Sequence, residues 1–116
     1  MPEINYPRLI SRIKNRAREE RTTPVHELIS THNEIINSEI PPLKLQLKGA
    51  RGEEQRELHE SIASKYRIAD AIKTHLAKEM HYPYGQELDH IASAIGHERE
   101  ARRIAGILEK KRRSGK

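Results

Sequence analysis

From Glu53 to Met80 the chain reads EEQRELHESIASKYRIADAIKTHLAKEM, with neither glycine nor proline inside it. Leu58, Ile62, Tyr66 (or the stem of Lys65), Ala69, Ile72, Leu76 and Met80 recur at steps of three and four. That period lines them along one side of a helix, and Ile68 widens the stripe. Arg56, Glu60, Lys73 and Glu79 fall on the other faces. About 28 residues at 1.5 Å each make a rod of roughly 40 Å. A stripe that long needs shorter helices, or a second copy, laid along it.

The flanking pattern supplies such helices. Pro7–Glu20 is predicted helical, with Leu9, Ile10, Ile13 and Ala17 on one face and Arg8, Arg12, Lys14, Arg16 and Arg18 around it. Glu19 and Glu20 oppose the dipole at its C-terminus, so that end is expected to fray. Thr22-Thr23-Pro24 signals a second start, with Thr23 as N-cap and proline at the first helical position. Val25, Leu28, Ile29, His32, Ile36 and Ile40 follow at helical spacing, and Pro41-Pro42 is expected to end the helix near Ile40. Residues 43–48 alternate Leu and a polar residue, which is a strand's period. They also fit a helix start, and an extended or partly helical connector is favoured because a lone strand has no partner. Gly49–Gly52 reads as a turn into the long helix, and His81–Gly85 as its stop, because Pro83 restricts Tyr82.

A last helix is expected from Gln86, with Glu87 and Asp89 in its first turn and Leu88, Ile91, Ala92 and Ile95 on its stripe. After Gly96, the residues Ala101, Ile104, Ala105 and Leu108 resume the pattern, ahead of a basic tail from about residue 110. The fold class expected is all-α: four to five helices bundled around one long central helix, as a single domain over 1–116. A homodimer is expected, since the long helix should overreach a monomeric core.

Composition narrows the core. With no Phe, Trp or Cys, and 14 Ile beside 9 Leu, the interior must be aliphatic and without disulfides. Lack of cysteine fits a reducing compartment, and no apolar run approaches the length of a membrane span. A cytoplasmic protein with no membrane partner is expected.

The 22 Lys and Arg against 17 acids are unevenly placed. Residues 1–21 hold six cations and three acids, and 81–116 hold eight and five, so each end carries +3. Basic ends on a near-neutral middle suit a polyanion. The candidate contacts are Arg99, Arg102, Arg103, Lys110, Lys111, Arg112 and Arg113, with Arg8, Arg12 and Arg16 second. A nucleic-acid-binding regulator or accessory factor is the leading expectation, DNA before RNA. An adaptor or inhibitor docking on an acidic protein is the alternative.

The segment Leu88–Leu108 resembles a helix-turn-helix. Ala92, three residues and then Gly96 stand where a close helix approach and a turn are needed. The resemblance implies that Arg99, Arg102 and Arg103 project from the start of a recognition helix. It departs from the pattern at His97, where an apolar residue belongs.

Seven histidines are the other excess. Glu87 and His90 have the spacing of one half of a di-metal site in a bundle, but no second such pair exists. His75 with Glu79, and His90 with His97, share faces and give two ligands each. No metal, cofactor or catalysis is expected. Pro24 breaks the frame that an Arg21–His26 ribonuclease pair needs, and no phosphate-cradling loop or nucleophile elbow is present.

Overall fold

The computed structural model describes residues 5–19 and 21–114. It consists of α1 (Tyr6–Glu19), α2 (Pro24–Glu34), a π-helical turn (Ile35–Glu39), α3 (Ile40–Gly49), α4 (Gly52–Lys78) and α5 (His90–Ser114). No strand occurs among the described residues. The fold is an all-α bundle, elongated to 60 × 27 × 24 Å by the α4–α5 hairpin.

Side chains set the helix starts. Asn5 Oδ1 accepts from Arg8 N at 3.0 Å, Thr23 Oγ1 from His26 N at 3.0 Å, and Asp89 Oδ1 from Ala92 N at 3.0 Å. Each satisfies a donor that the first turn leaves without a partner. Replacing Thr23 with Ala is expected to cost about 1 kcal/mol, read from denaturant midpoints. The last helix thus begins at His90 rather than Gln86, because Asp89 serves as its cap.

α4 is the organising element. Leu58, Ile62, Ala69, Ile72 and Leu76 are buried on it, as its stripe requires. Ile10 and Ile13 of α1, Leu28 of α2, Ile35 and Ile40 complete this core. The helix ends two residues before Met80, which still packs against the core. His81 takes a left-handed backbone (φ 53), and Tyr82 N donates to Leu76 O at 2.8 Å.

Four further expectations change. First, Pro41-Pro42 does not end the helical run. The preceding turn is π-wound, with Ile40 N bonded to Ile35 O, and the prolines take the first positions of α3, where no N–H is needed. Second, residues 43–48 are helical: Leu43 and Leu47 pack inward one turn apart, and Leu45 faces out.

Third, α5 is unbroken through Gly96, so there is no turn and no helix-turn-helix pair. The reason lies in its true inward line, at steps of four and three: His90, Ala94, Ala101 and Ile104 are buried, and His97 and Leu108 half-buried. That line holds α5 against α4 on both sides of the glycine, whose helical penalty is only about 1 kcal/mol. Fourth, the tail expected from about residue 110 is helical to Ser114. Glu20 and residues 115–116 lie outside the described residues.

α5 runs antiparallel along α4 and covers its second face, where His59 and Ala63 are buried. Arg67 clamps the pair by two hydrogen bonds to Glu98, at 2.6 and 2.7 Å. The length of α4 alone therefore no longer calls for a second copy.

Candidate functional site

With one face of α5 spent on α4, its opposite face is open. Positions 92, 96, 99, 103, 106, 110 and 113 follow steps of four and three and are all exposed. They hold Ala92, Gly96, Arg99, Arg103, Gly106, Lys110 and Arg113: cations and small residues, with no carboxylate on the line. The line extends about 31 Å at 1.5 Å per residue.

The three acids of α5 stand off it. Glu98 is engaged by Arg67, Glu100 by Arg103 at 2.7 Å, and Glu109 by Arg113 at 2.9 Å. The last two are exposed pairs within one helix turn, which contribute little and yield readily to a stronger anion. Arg99, Arg102, Lys110, Lys111 and Arg112 make no ion pair among the described residues. Lys111 and Arg112 lie off the outer line. Arg112 faces the first turn of α4, where Glu53 is held below the usual carboxylate range, chiefly by its hydrogen bond from Arg56 and further by Arg112.

The glycines on the line have no internal purpose. A Cβ built at Gly96 or Gly106 meets nothing within 4 Å. Each nonetheless forgoes about 0.5–1 kcal/mol of helix stability relative to alanine. What they provide is a backbone that an outside body can approach closely.

The second group of candidate contacts is elsewhere. α1 packs on α2 and α4, with Lys14 beside His75 and Glu79 near the C-terminal end of α4. α5 reaches the other end of α4, where Leu108 lies against Gly52. Arg8 and Arg12 are exposed on α1. Arg16 instead holds α1 to α2, with Nε 3.2 Å from Glu27 Oε2 and its other guanidinium arm 2.9 Å from Thr31 Oγ1. The two basic ends do not form one surface.

Sequence reasoning missed what the histidines do. His32 Nε2 meets His90 Nε2 at 2.9 Å, joining α2 to α5, and His59 Nδ1 meets His97 Nδ1 at 2.8 Å, joining α4 to α5. Tyr66 lies between the pairs, its ring centroid 5.8 Å from that of His90 and 6.1 Å from that of His97. Hydrogen bonds fix the protons of the first pair. Asn33 Oδ1 accepts from Tyr84 Oη at 2.9 Å and can only accept from His32 Nδ1, 3.1 Å away. His32 Nε2 is then the lone-pair nitrogen, and His90 Nε2–H donates to it.

Burial pushes His59, His75, His90 and His97 below the ordinary histidine range. The neighbouring imidazole and Lys73 add to this at His90, the neighbouring imidazole and Lys44 at His97, and Lys14 at His75. His75 Nε2 is buried and has no hydrogen-bond partner among the described residues.

Two nitrogens on one tetrahedral metal would stand about 3.3 Å apart, given metal–nitrogen bonds near 2.05 Å. Both pairs are closer, at hydrogen-bond distance. No group of three or more His, Asp or Glu capable of holding a metal occurs among the described residues. No helix of the described chain is long and apolar enough to cross a membrane. Compared with protein-family models, curated proteins and solved structures, the chain matches none.

Proposed function

We propose that the protein binds the phosphate backbone of duplex nucleic acid, DNA before RNA, along the outer face of α5 and without catalysis. The observation that carries this reading is the carboxylate-free line of cations on α5, interrupted only by Ala92 and two glycines that packing does not require. A B-form major groove, about 12 Å wide, admits an α-helix, whereas the deep and narrow groove of A-form RNA does not. Small residues on the crest let such a helix sit low, and Arg99, Arg103, Lys110 and Arg113 then reach phosphates. Arg102, Lys111 and Arg112, to the sides of the line, are secondary contacts. Arg8 and Arg12 belong to a separate surface, and Arg16 is committed to Glu27 and Thr31. An unbroken α5 offers no recognition helix carried on a turn, so the binding expected is largely independent of base sequence.

The glycines supply a test that separates binding from stability. Gly96→Gln and Gly106→Gln are each expected to raise stability by about 0.5 kcal/mol, as mid-helix glycines replaced by a good helix former. The same changes are expected to weaken duplex binding by about threefold or more, because the added side chain holds the helix off the groove. Thermal melts and fluorescence anisotropy read the two effects side by side. A more stable variant with unchanged affinity would contradict the close approach.

A further inference from the structure

A second surface lies on α3, away from the outer line of α5. Between α3 and α4 runs an open groove of about 380 Å³. Ile36, Ile40 and Tyr66 form its floor, and Pro41, Lys44, Leu45 and Lys48 its wall. Leu45 is 69% exposed, more than any other large apolar side chain among the described residues. A lone exposed leucine would mean little. This one stands at the mouth of an apolar groove, with Pro41, Pro42 and Lys48 one helical turn away.

The charge around the groove has one sign. α3, IPPLKLQLKG, contains no acid. Lys44 and Lys48 are one turn apart, and neither makes an ion pair among the described residues. Lys44 Nζ sits 5.3 Å from the Tyr66 ring centroid, held over the floor. The Glu39 carboxylate, in the turn before α3, is taken by Lys65 at 2.7 Å.

We propose that this groove receives an acidic amphipathic helix of another protein. Its apolar anchors would fill the space over Ile36, Ile40 and Tyr66 beside Leu45, and its carboxylates would meet Lys44 and Lys48. This is helix-in-groove recognition, with the apolar contact giving affinity and the lysines giving orientation. A second copy fits worse, because a two-fold contact brings the same patch together twice and sets Lys44 and Lys48 against their own images. A duplex fits worse too, since phosphates and sugars offer nothing apolar to the floor. The proposal does not depend on nucleic-acid binding by α5.

The test uses the whole protein and a fluorescein-labelled synthetic helix of about 14 residues, with leucines at i, i+3, i+4 and i+7 and glutamates on both flanks. Saturable anisotropy is expected, with backbone amide shifts concentrated at residues 36–48 and at Tyr66. Leu45→Ser is expected to weaken binding about tenfold. Lys44→Glu combined with Lys48→Glu is expected to abolish it, and a peptide with lysines in place of the glutamates to restore it. These side chains are exposed, so the variants should melt within about 2 °C of the wild type. Absence of saturable binding would overturn the proposal, as would binding that Leu45→Ser leaves unchanged. A dimer in sedimentation that Leu45→Ser dissolves would assign the groove to a second copy. Duplex-induced shifts confined to residues 36–48 would assign it to nucleic acid.

Discussion

Lowering the pH from about 7.5 to about 5 is expected to reduce the melting midpoint. Burial depresses His59, His75, His90 and His97 in the folded state, so the unfolded chain binds more protons as the solution acidifies. Their contribution is fully present above the unfolded value of about 6.5 and is lost as pH falls through the depressed folded values. Glu98, lowered by its hydrogen bond from Arg67, titrates below the ordinary carboxylate range, so the drop between about pH 6.5 and pH 5 belongs to histidine. One added proton can be shared within a pair of imidazoles. In the His59–His97 pair a second leaves two donors facing each other at 2.8 Å across α4–α5. Asp70 and Asp89 near His90, and Glu100 near His59 and His97, oppose the effect without cancelling it. Calorimetry in matched buffers reads the midpoint, and a flat profile over this window would contradict the buried pairs.

Leu76→Ala is expected to cost about 3 kcal/mol, within the usual 2–5 for a fully buried leucine. Leu76 is 0% exposed and belongs to the cluster that holds Ile10 and Ile13 of α1 and Leu28 of α2 on α4. Rigid helices close incompletely over such a cavity, so the lost contacts are not recovered. The paired control is Leu45→Ala, expected to change stability by less than about 0.5 kcal/mol because that side chain faces out. Urea midpoints at constant slope measure both. A loss below about half a kcal/mol for Leu76→Ala would mean that the α4 stripe does not face a core.

The aliphatic half of this fold was legible in the sequence, and the histidine half was not. The stripe from Leu58 to Leu76, the face of α1 and the Thr23 cap all follow directly from spacing. α5 was misread because Gly96 and the exposed Ala92 were given structural roles, while His90 and His97 were left out of the apolar count. Counting histidine among the inward-facing residues turns 90, 94, 97, 101, 104 and 108 into one uninterrupted helical line. The pairs themselves join residues 58 and 38 positions apart, a separation no local pattern encodes. Pro41-Pro42 misled for a different reason: a π-wound turn supplies the space and the bonding that an ordinary helix interior would deny them. Of the candidate contacts, charge alone singled out Arg99, Arg103, Lys110 and Arg113, but their common exposed line required α5 to be continuous. The loss of Arg16 to Glu27 required the packing of α1 on α2.

The salt dependence of duplex binding tests the central claim most directly. Each phosphate contact on B-DNA contributes about −0.9 to the slope of log affinity against log salt, so four to five contacts from α5 give about −4. Changing Arg99, Arg103 and Lys110 together to Ala is expected to flatten that slope by about 2–3 units, nearly equally for unrelated duplex sequences. Arg8→Ala with Arg12→Ala is expected to leave it almost unchanged. If the wild type fails to bind duplex at about 50 mM salt, or if its slope is indifferent to the α5 changes, α5 is not a nucleic-acid surface.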